Sequence, residues 1–154
     1  NNRMEGKSEA SKEAKVNYEW SLFRNIRDKS NSEVKDLLSK NQYILLYFSA
    51  HWCPPCRAFT PKLVEFYEKH HVDKGFEIVF VSADRDKAGF ESYYAGMPWL
   101  HVDYDSDARD DAMTDFEISS IPRLVIIDVQ SSLVVTSNAY SALSSDEAGD
   151  KFPW

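Results

Sequence analysis

Two seven-residue runs, Tyr43–Ser49 (YILLYFS) and Phe76–Ser82 (FEIVFVS), are apolar at nearly every position. A strand with one wet face alternates apolar and polar residues. A strand that does not alternate is buried on both faces, as in a parallel sheet covered by helices on each side. Between the runs, Phe59, Leu63, Phe66 and Tyr67 recur at spacings of three and four. That is the period of an amphipathic helix, here over roughly 54–71, kinked at Pro61 and ended by Gly75.

The rest of the chain extends this strand–helix–strand unit. The pattern predicts a helix around Lys87–Ala95, a loop over Gly96–Trp99, a polar helix around Ser106–Phe116, a strand over Arg123–Val129, a hairpin partner over Leu133–Ser137 and a final helix near Ser144–Gly149. Trp20, Leu22, Phe23 and Ile26 form a short packing segment, and Glu33–Leu38 reads equally as a strand or a helical turn. The expected class is α/β, with a mixed sheet and helices on both faces. Residues 1–17 are rich in Lys, Glu, Ser and Asn and are expected to be a flexible tail. Residues 18–154 are expected to form a single domain, in keeping with 154 residues of which 43% are hydrophobic. The opening Asn1-Asn2-Arg3-Met4 reads like the edge of a fragment, so a missing leader constrains little, and a cytoplasmic location is the expectation.

Charge excludes some partners. With 18 basic against 25 acidic residues and a net charge of −7, nothing favours a phosphate backbone or an anionic bilayer, so neither nucleic acid nor membrane is an expected partner. No stretch reaches the roughly 18 consecutive apolar residues of a membrane helix.

The chemistry concentrates in two cysteines, Cys53 and Cys56, set where the first buried strand meets the amphipathic helix. Two cysteines are too few for the disulfide framework of a small secreted domain, which leaves redox chemistry or a metal. A thiol at the first turn of a helix meets unpaired N–H groups and the positive end of the helix dipole, and both favour the thiolate. Cys53 is therefore expected to have a lowered pKa and to attack, with Cys56 one turn on to resolve a mixed disulfide. Pro54 and Pro55 stiffen the ring and contribute no N–H. The competing reading is zinc, because His70 and His71 follow at a near-metal spacing. Adjacent histidines on a helix point about 100° apart, however, and cannot readily face one ion. No metal and no bound cofactor are expected.

The segment Phe48-Ser-Ala-His-Trp-Cys-Pro-Pro-Cys-Arg-Ala-Phe-Thr-Pro61 closely resembles the active-site stretch of tryparedoxins and nucleoredoxins, a branch of the thioredoxin superfamily. Met97-Pro98-Trp99-Leu100 resembles that branch's Met-Pro-Trp loop, Ser120-Ile121-Pro122 the superfamily's cis-proline loop, and Lys151-Phe152-Pro153-Trp154 the tryparedoxin C-terminus. The resemblance implies a thioredoxin-like three-layer α/β/α fold with a central mixed β-sheet. It makes Trp52 the aromatic flank of the active site, Cys53 the nucleophile and Cys56 the resolving thiol. Pro54, Pro55 and Arg57 become active-site support, and Pro122 the cis-proline beside the disulfide. The Ile121 backbone would pair with an incoming peptide. On sequence alone Pro122 also reads as an ordinary strand-start proline.

The departures carry information too. Tyr47 stands where thioredoxins carry a buried aspartate, as it does in tryparedoxins, so a different base, or water, must serve Cys56. Asp84 and Asp86 are candidates, a solvated acidic loop being the alternative. Ala83, Arg85 and Tyr140 replace the Trp, Glu and Arg typical of tryparedoxins that handle polyamine–glutathione conjugates. Arg85 and Arg123 favour an anionic partner such as glutathione or an acidic protein loop, unless they are solvated surface charges. The resemblance implies a monomeric disulfide reductase acting on disulfide-containing proteins such as peroxidases, with electrons from a low-molecular-weight thiol or a flavin reductase. The alternative function is a nucleoredoxin-like, redox-sensing protein-binding module.

Overall fold

A computed structural model describes residues 14–154. A short 3₁₀ helix (Ser21–Arg24) leads into β1 (Ile26–Arg27), α1 (Leu37–Lys40), β2 (Tyr43–Ser49), α2 (Pro54–His70), β3 (Phe76–Ser82), α3 (Lys87–Tyr94), β4 (Leu100–Val102), α4 (Ala108–Asp115), β5 (Arg123–Asp128), β6 (Leu133–Thr136) and α5 (Ala139–Ser145). The strands form one six-stranded mixed sheet in the order β1-β4-β3-β2-β5-β6. β2 lies parallel to β3 and antiparallel to β5, so the first apolar run is central, as its lack of alternation demands.

Period-two geometry sends β2 residues to two different cores. Ile44, Leu46 and Phe48 pack with Val79, Val81, Val125 and Ile127 against Leu22, Ala112 and Phe116. Leu45 and Tyr47 pack with Ile78 and Phe80 against Phe59, Leu63 and Phe66 of α2, Phe90 and Tyr94 of α3, and Leu143 of α5. The result is three layers, α/β/α. Each large apolar side chain buried from α2 contributes about 1.5–3 kcal/mol, enough to hold a helix that carries Pro61 in its interior.

Three expectations are corrected. The final helix is Ala139–Ser145 rather than 144–149, because Ala139 and Leu143, four apart, are the pair that reaches the core. Beyond it the chain is held by Asp146, whose Oδ2 accepts from Lys151 N and Trp154 Nε1, each at 2.9 Å. The stretch after Trp99 contains β4, a strand the sequence did not signal: three residues, paired with β1 and β3. Order also begins before Tyr18. Val16 is buried and its N–H donates to Ser132 O, while Ala14 O accepts from Val134, so residues 14–17 lie along β6 instead of in a tail. The remainder of the expected tail, residues 1–13, lies outside the described residues. The ambiguous segment 33–38 resolves into both readings, with Glu33 bridging Arg27 as a strand would and α1 starting at Leu37. Among the described residues no helix is long and apolar enough to cross a membrane.

Candidate active site

Cys53 is the N-cap of α2 and is joined to Cys56 in a disulfide with the Cα atoms 5.2 Å apart. The proline pair makes this N-terminus unusual. Pro54 and Pro55 occupy the first two helical positions and bring no N–H, and the Arg57 amide is spent on Cys53 O at 3.0 Å. The Cys56 amide remains, and it points at Cys53 Sγ from 3.3 Å. The helix end thus directs its remaining amide and its dipole at one sulfur. Cys56 is fully enclosed at 0% exposure and Cys53 is 5% exposed, so an approaching thiol or disulfide reaches Cys53 first.

Beneath Cys56 lies a cluster of hydroxyls. Thr60 Oγ1 is 2.9 Å from Cys56 O, 2.7 Å from Tyr47 Oη and 2.7 Å from Tyr93 Oη, and Tyr93 Oη is 2.7 Å from Ser49 Oγ. Each hydroxyl owns one proton, so one consistent assignment runs Ser49 to Tyr93 to Thr60, with Tyr47 also donating to Thr60 and Thr60 donating to the Cys56 carbonyl. Burial pushes the Tyr47 phenol far above the ordinary tyrosine range, reinforced by its neighbour Tyr93. Sequence reasoning picked out Tyr47 but missed Ser49, Thr60 and Tyr93. Thr60, one helical turn after Cys56, carried a local signal; Tyr93 joins from α3, 33 residues away.

The other expected residues separate into groups. The Ile121–Pro122 peptide is cis, and it lies just beyond the Phe48–Arg123 pair where β2 and β5 separate. Ile121, Ser120 and Ile118 line one groove with Trp52, Cys53, Pro54, Pro55 and Ala83. Trp52 is 41% exposed; its Nε1 donates to Ala83 O at 3.1 Å, and the Arg85 guanidinium lies over its ring at 4.3 Å. Arg57 faces away from this groove, donating to His51 O at 2.6 Å and lining a separate depression with Tyr93. Arg123 reaches Asn138 Oδ1 at 2.9 Å.

Asp84 is buried, and its carboxylate accepts from the His51 amide and the Ser82 hydroxyl, each at 2.7 Å. It ties the loop after β2 to the end of β3. Asp86 caps α3, accepting from Gly89 N at 2.8 Å. Tyr140 packs edge-on against Phe59 at 4.8 Å instead of facing the groove. The histidines of the zinc reading sit at the far end of α2, about 20 Å along the helix from the cysteines.

A protein-family model described as thioredoxin-like matches residues 41–133. The chain belongs to the thioredoxin-like family. Tryparedoxin of Trypanosoma brucei brucei is 44% identical over 112 residues, covering 72% of this chain and 78% of that protein. Nucleoredoxin of Danio rerio is 39% identical over 135 residues, 86% of this chain but 31% of that protein. A solved tryparedoxin II complexed with glutathionylspermidine superposes with a TM-score of 0.79 at 36% identity, covering 85% of this chain and 92% of that one. The fold, the family and the close cysteine pair make this thioredoxin-like chain a dithiol–disulfide oxidoreductase.

Proposed function

We propose that the chain reduces disulfides in other proteins through Cys53 and Cys56, as a monomer that draws its electrons from a low-molecular-weight thiol or a flavin reductase. Cys53 thiolate attacks a target disulfide, one target sulfur leaves as a thiolate, and a mixed disulfide forms. Cys56 then attacks Cys53 Sγ, which frees the reduced target and closes the Cys53–Cys56 bond. Two electrons pass to the target and two protons follow them. Peroxidases with an exposed disulfide are the expected class of target, docking along the Ile121 backbone.

The observation that carries this reading is the Cys56 amide directed at Cys53 Sγ across two residues that have no N–H of their own. It supports negative charge on the more accessible sulfur and leaves the enclosed one to resolve. Pro54 and Pro55 contribute no N–H of their own to that sulfur. Trp52 and the cis Ile121–Pro122 segment flank the groove that an incoming chain would enter.

The test is insulin precipitation driven by dithiothreitol, with wild type and Cys53→Ser side by side. Faster reduction by the wild type supports a reductase. Equal rates would favour the second reading, a redox-gated binding module, for which the similarity to part of a much longer nucleoredoxin is the motive.

A further inference from the structure

The groove beside Cys53 has an apolar floor, and one of its lining residues, Trp52, carries a cation on its ring. Trp52, Pro54, Ala83 and Ile121 supply the floor, and Arg85 lies over the Trp52 ring with its guanidinium carbon 4.3 Å from the ring centre. Stacking on an aromatic face fixes a long side chain that would otherwise sample many rotamers, and it leaves the edge N–H donors free to meet a carboxylate. Among the described residues Arg85 makes no ion pair. The acids next to it in sequence are occupied: Asp84 is buried on His51 and Ser82, and Asp86 caps α3. On a chain of net charge −7, the active-site rim thus presents a positioned positive group one aromatic ring away from Cys53.

Resting on the dithiol reading above, we propose that the reductant is an anionic peptide thiol of the glutathione type, and that Arg85 selects it through a free carboxylate. The exchange balances as two steps. One thiolate attacks Cys53 Sγ, the Cys53–Cys56 bond breaks, and Cys56 leaves as a thiolate that takes up a proton. A second thiolate attacks the reductant's sulfur in the mixed disulfide, forming the oxidised dimer and releasing Cys53. Two thiols lose one electron each and the cysteine pair gains two. A thiol whose carboxylate has been converted to an amide bearing a polyamine brings positive charge to Arg85 and is disfavoured.

The experiment measures initial rates of reduction of the Cys53–Cys56 disulfide by alkylation and mass shift. The reductants are glutathione, glutathionylspermidine and dithiothreitol, and the proteins are wild type, Arg85→Lys and Arg85→Glu. Each rate is divided by the same protein's dithiothreitol rate. The expected result is a wild-type preference for glutathione that shrinks as salt is raised, survives in Arg85→Lys, and falls about three- to tenfold in Arg85→Glu. The same preference in all three proteins would overturn the role of Arg85. A wild type that dithiothreitol cannot reduce to two free thiols would instead overturn the dithiol reading beneath it.

Discussion

Tyr47 Oη lies 2.7 Å from Thr60 Oγ1, so the phenol one strand below the active-site helix joins the hydrogen-bond cluster that ends on the Cys56 carbonyl. Burial holds that phenol protonated through the whole working range of pH, and it serves as a donor, not a base. Tyr47→Phe keeps the ring contacts with Phe59 and Trp99 and removes the hydroxyl's buried contacts, 2.7 Å to Thr60 Oγ1 and 3.3 Å to Cys56 O. It is expected to cost about 0.5–1.5 kcal/mol in chemical denaturation. Disulfide-reductase turnover should stay within about threefold of wild type, far less than the ~10²-fold or greater loss that follows removal of a general base.

Asp84 offers a sharper separation of structure from chemistry. Replacing it with alanine strands the His51 amide and the Ser82 hydroxyl, and about 1–3 kcal/mol of stability should be lost. Asp84→Asn retains an acceptor for His51 and should restore most of that stability. If the carboxylate acts only as a strut, the pH dependence of turnover is unchanged in Asp84→Asn; an alkaline displacement would mark it as the base for Cys56.

His101 sets a pH dependence of folding. Burial in β4 lowers its pKa below the ordinary 6.5, opposed by the Val102 carbonyl and Asp103 and assisted by Lys29 and Arg27. Its folded pKa is below its unfolded one, so the unfolded chain binds more protons as pH falls through 6.5 and its stabilising share is lost in that direction. Thermal unfolding of wild type and His101→Gln should therefore show a gap in Tm that moves against the wild type between about pH 7 and about pH 5.

Gly149 fixes the C-terminal turn at φ +73°, and a Cβ there would stand 2.5 Å from Phe66 Cε1 on α2. Gly149→Ala has both a left-handed backbone and a clash with a buried ring to relieve, and a loss of about 1–3 kcal/mol is expected in denaturant melts. The fluorescence of Trp154, which packs on Phe66, reports whether the turn detaches before the rest of the protein unfolds.

The parts of the fold legible in the sequence are those whose signal is local. β2 and β3 declared themselves because nearly every position is apolar, and α2 because Phe59, Leu63, Phe66 and Tyr67 keep helical spacing. The cysteine pair was legible for the same reason, since four consecutive residues carry it. β4 was not, because three residues cannot show a period and their strand character comes from β3 and β1 on either side. α5 was misplaced by five residues because only Ala139 and Leu143 bury, too few to mark a face. The hydroxyl cluster needed the fold: Ser49, Thr60 and Tyr93 come from β2, α2 and α3. The aromatic seat of Arg85 needed it as well, since Trp52 and Arg85 are 33 residues apart.

The most direct test of the division of labour between the cysteines is mass-spectrometric trapping. Cys56→Ser and Cys53→Ser are each incubated with a disulfide-bonded protein substrate, and covalent adducts are mapped to the cysteine that carries them. An attacking Cys53 and a resolving Cys56 predict a stable mixed disulfide on Cys53 in Cys56→Ser and none in Cys53→Ser. Adducts on Cys56 in Cys53→Ser, or full multiple-turnover reduction by Cys56→Ser, would contradict it.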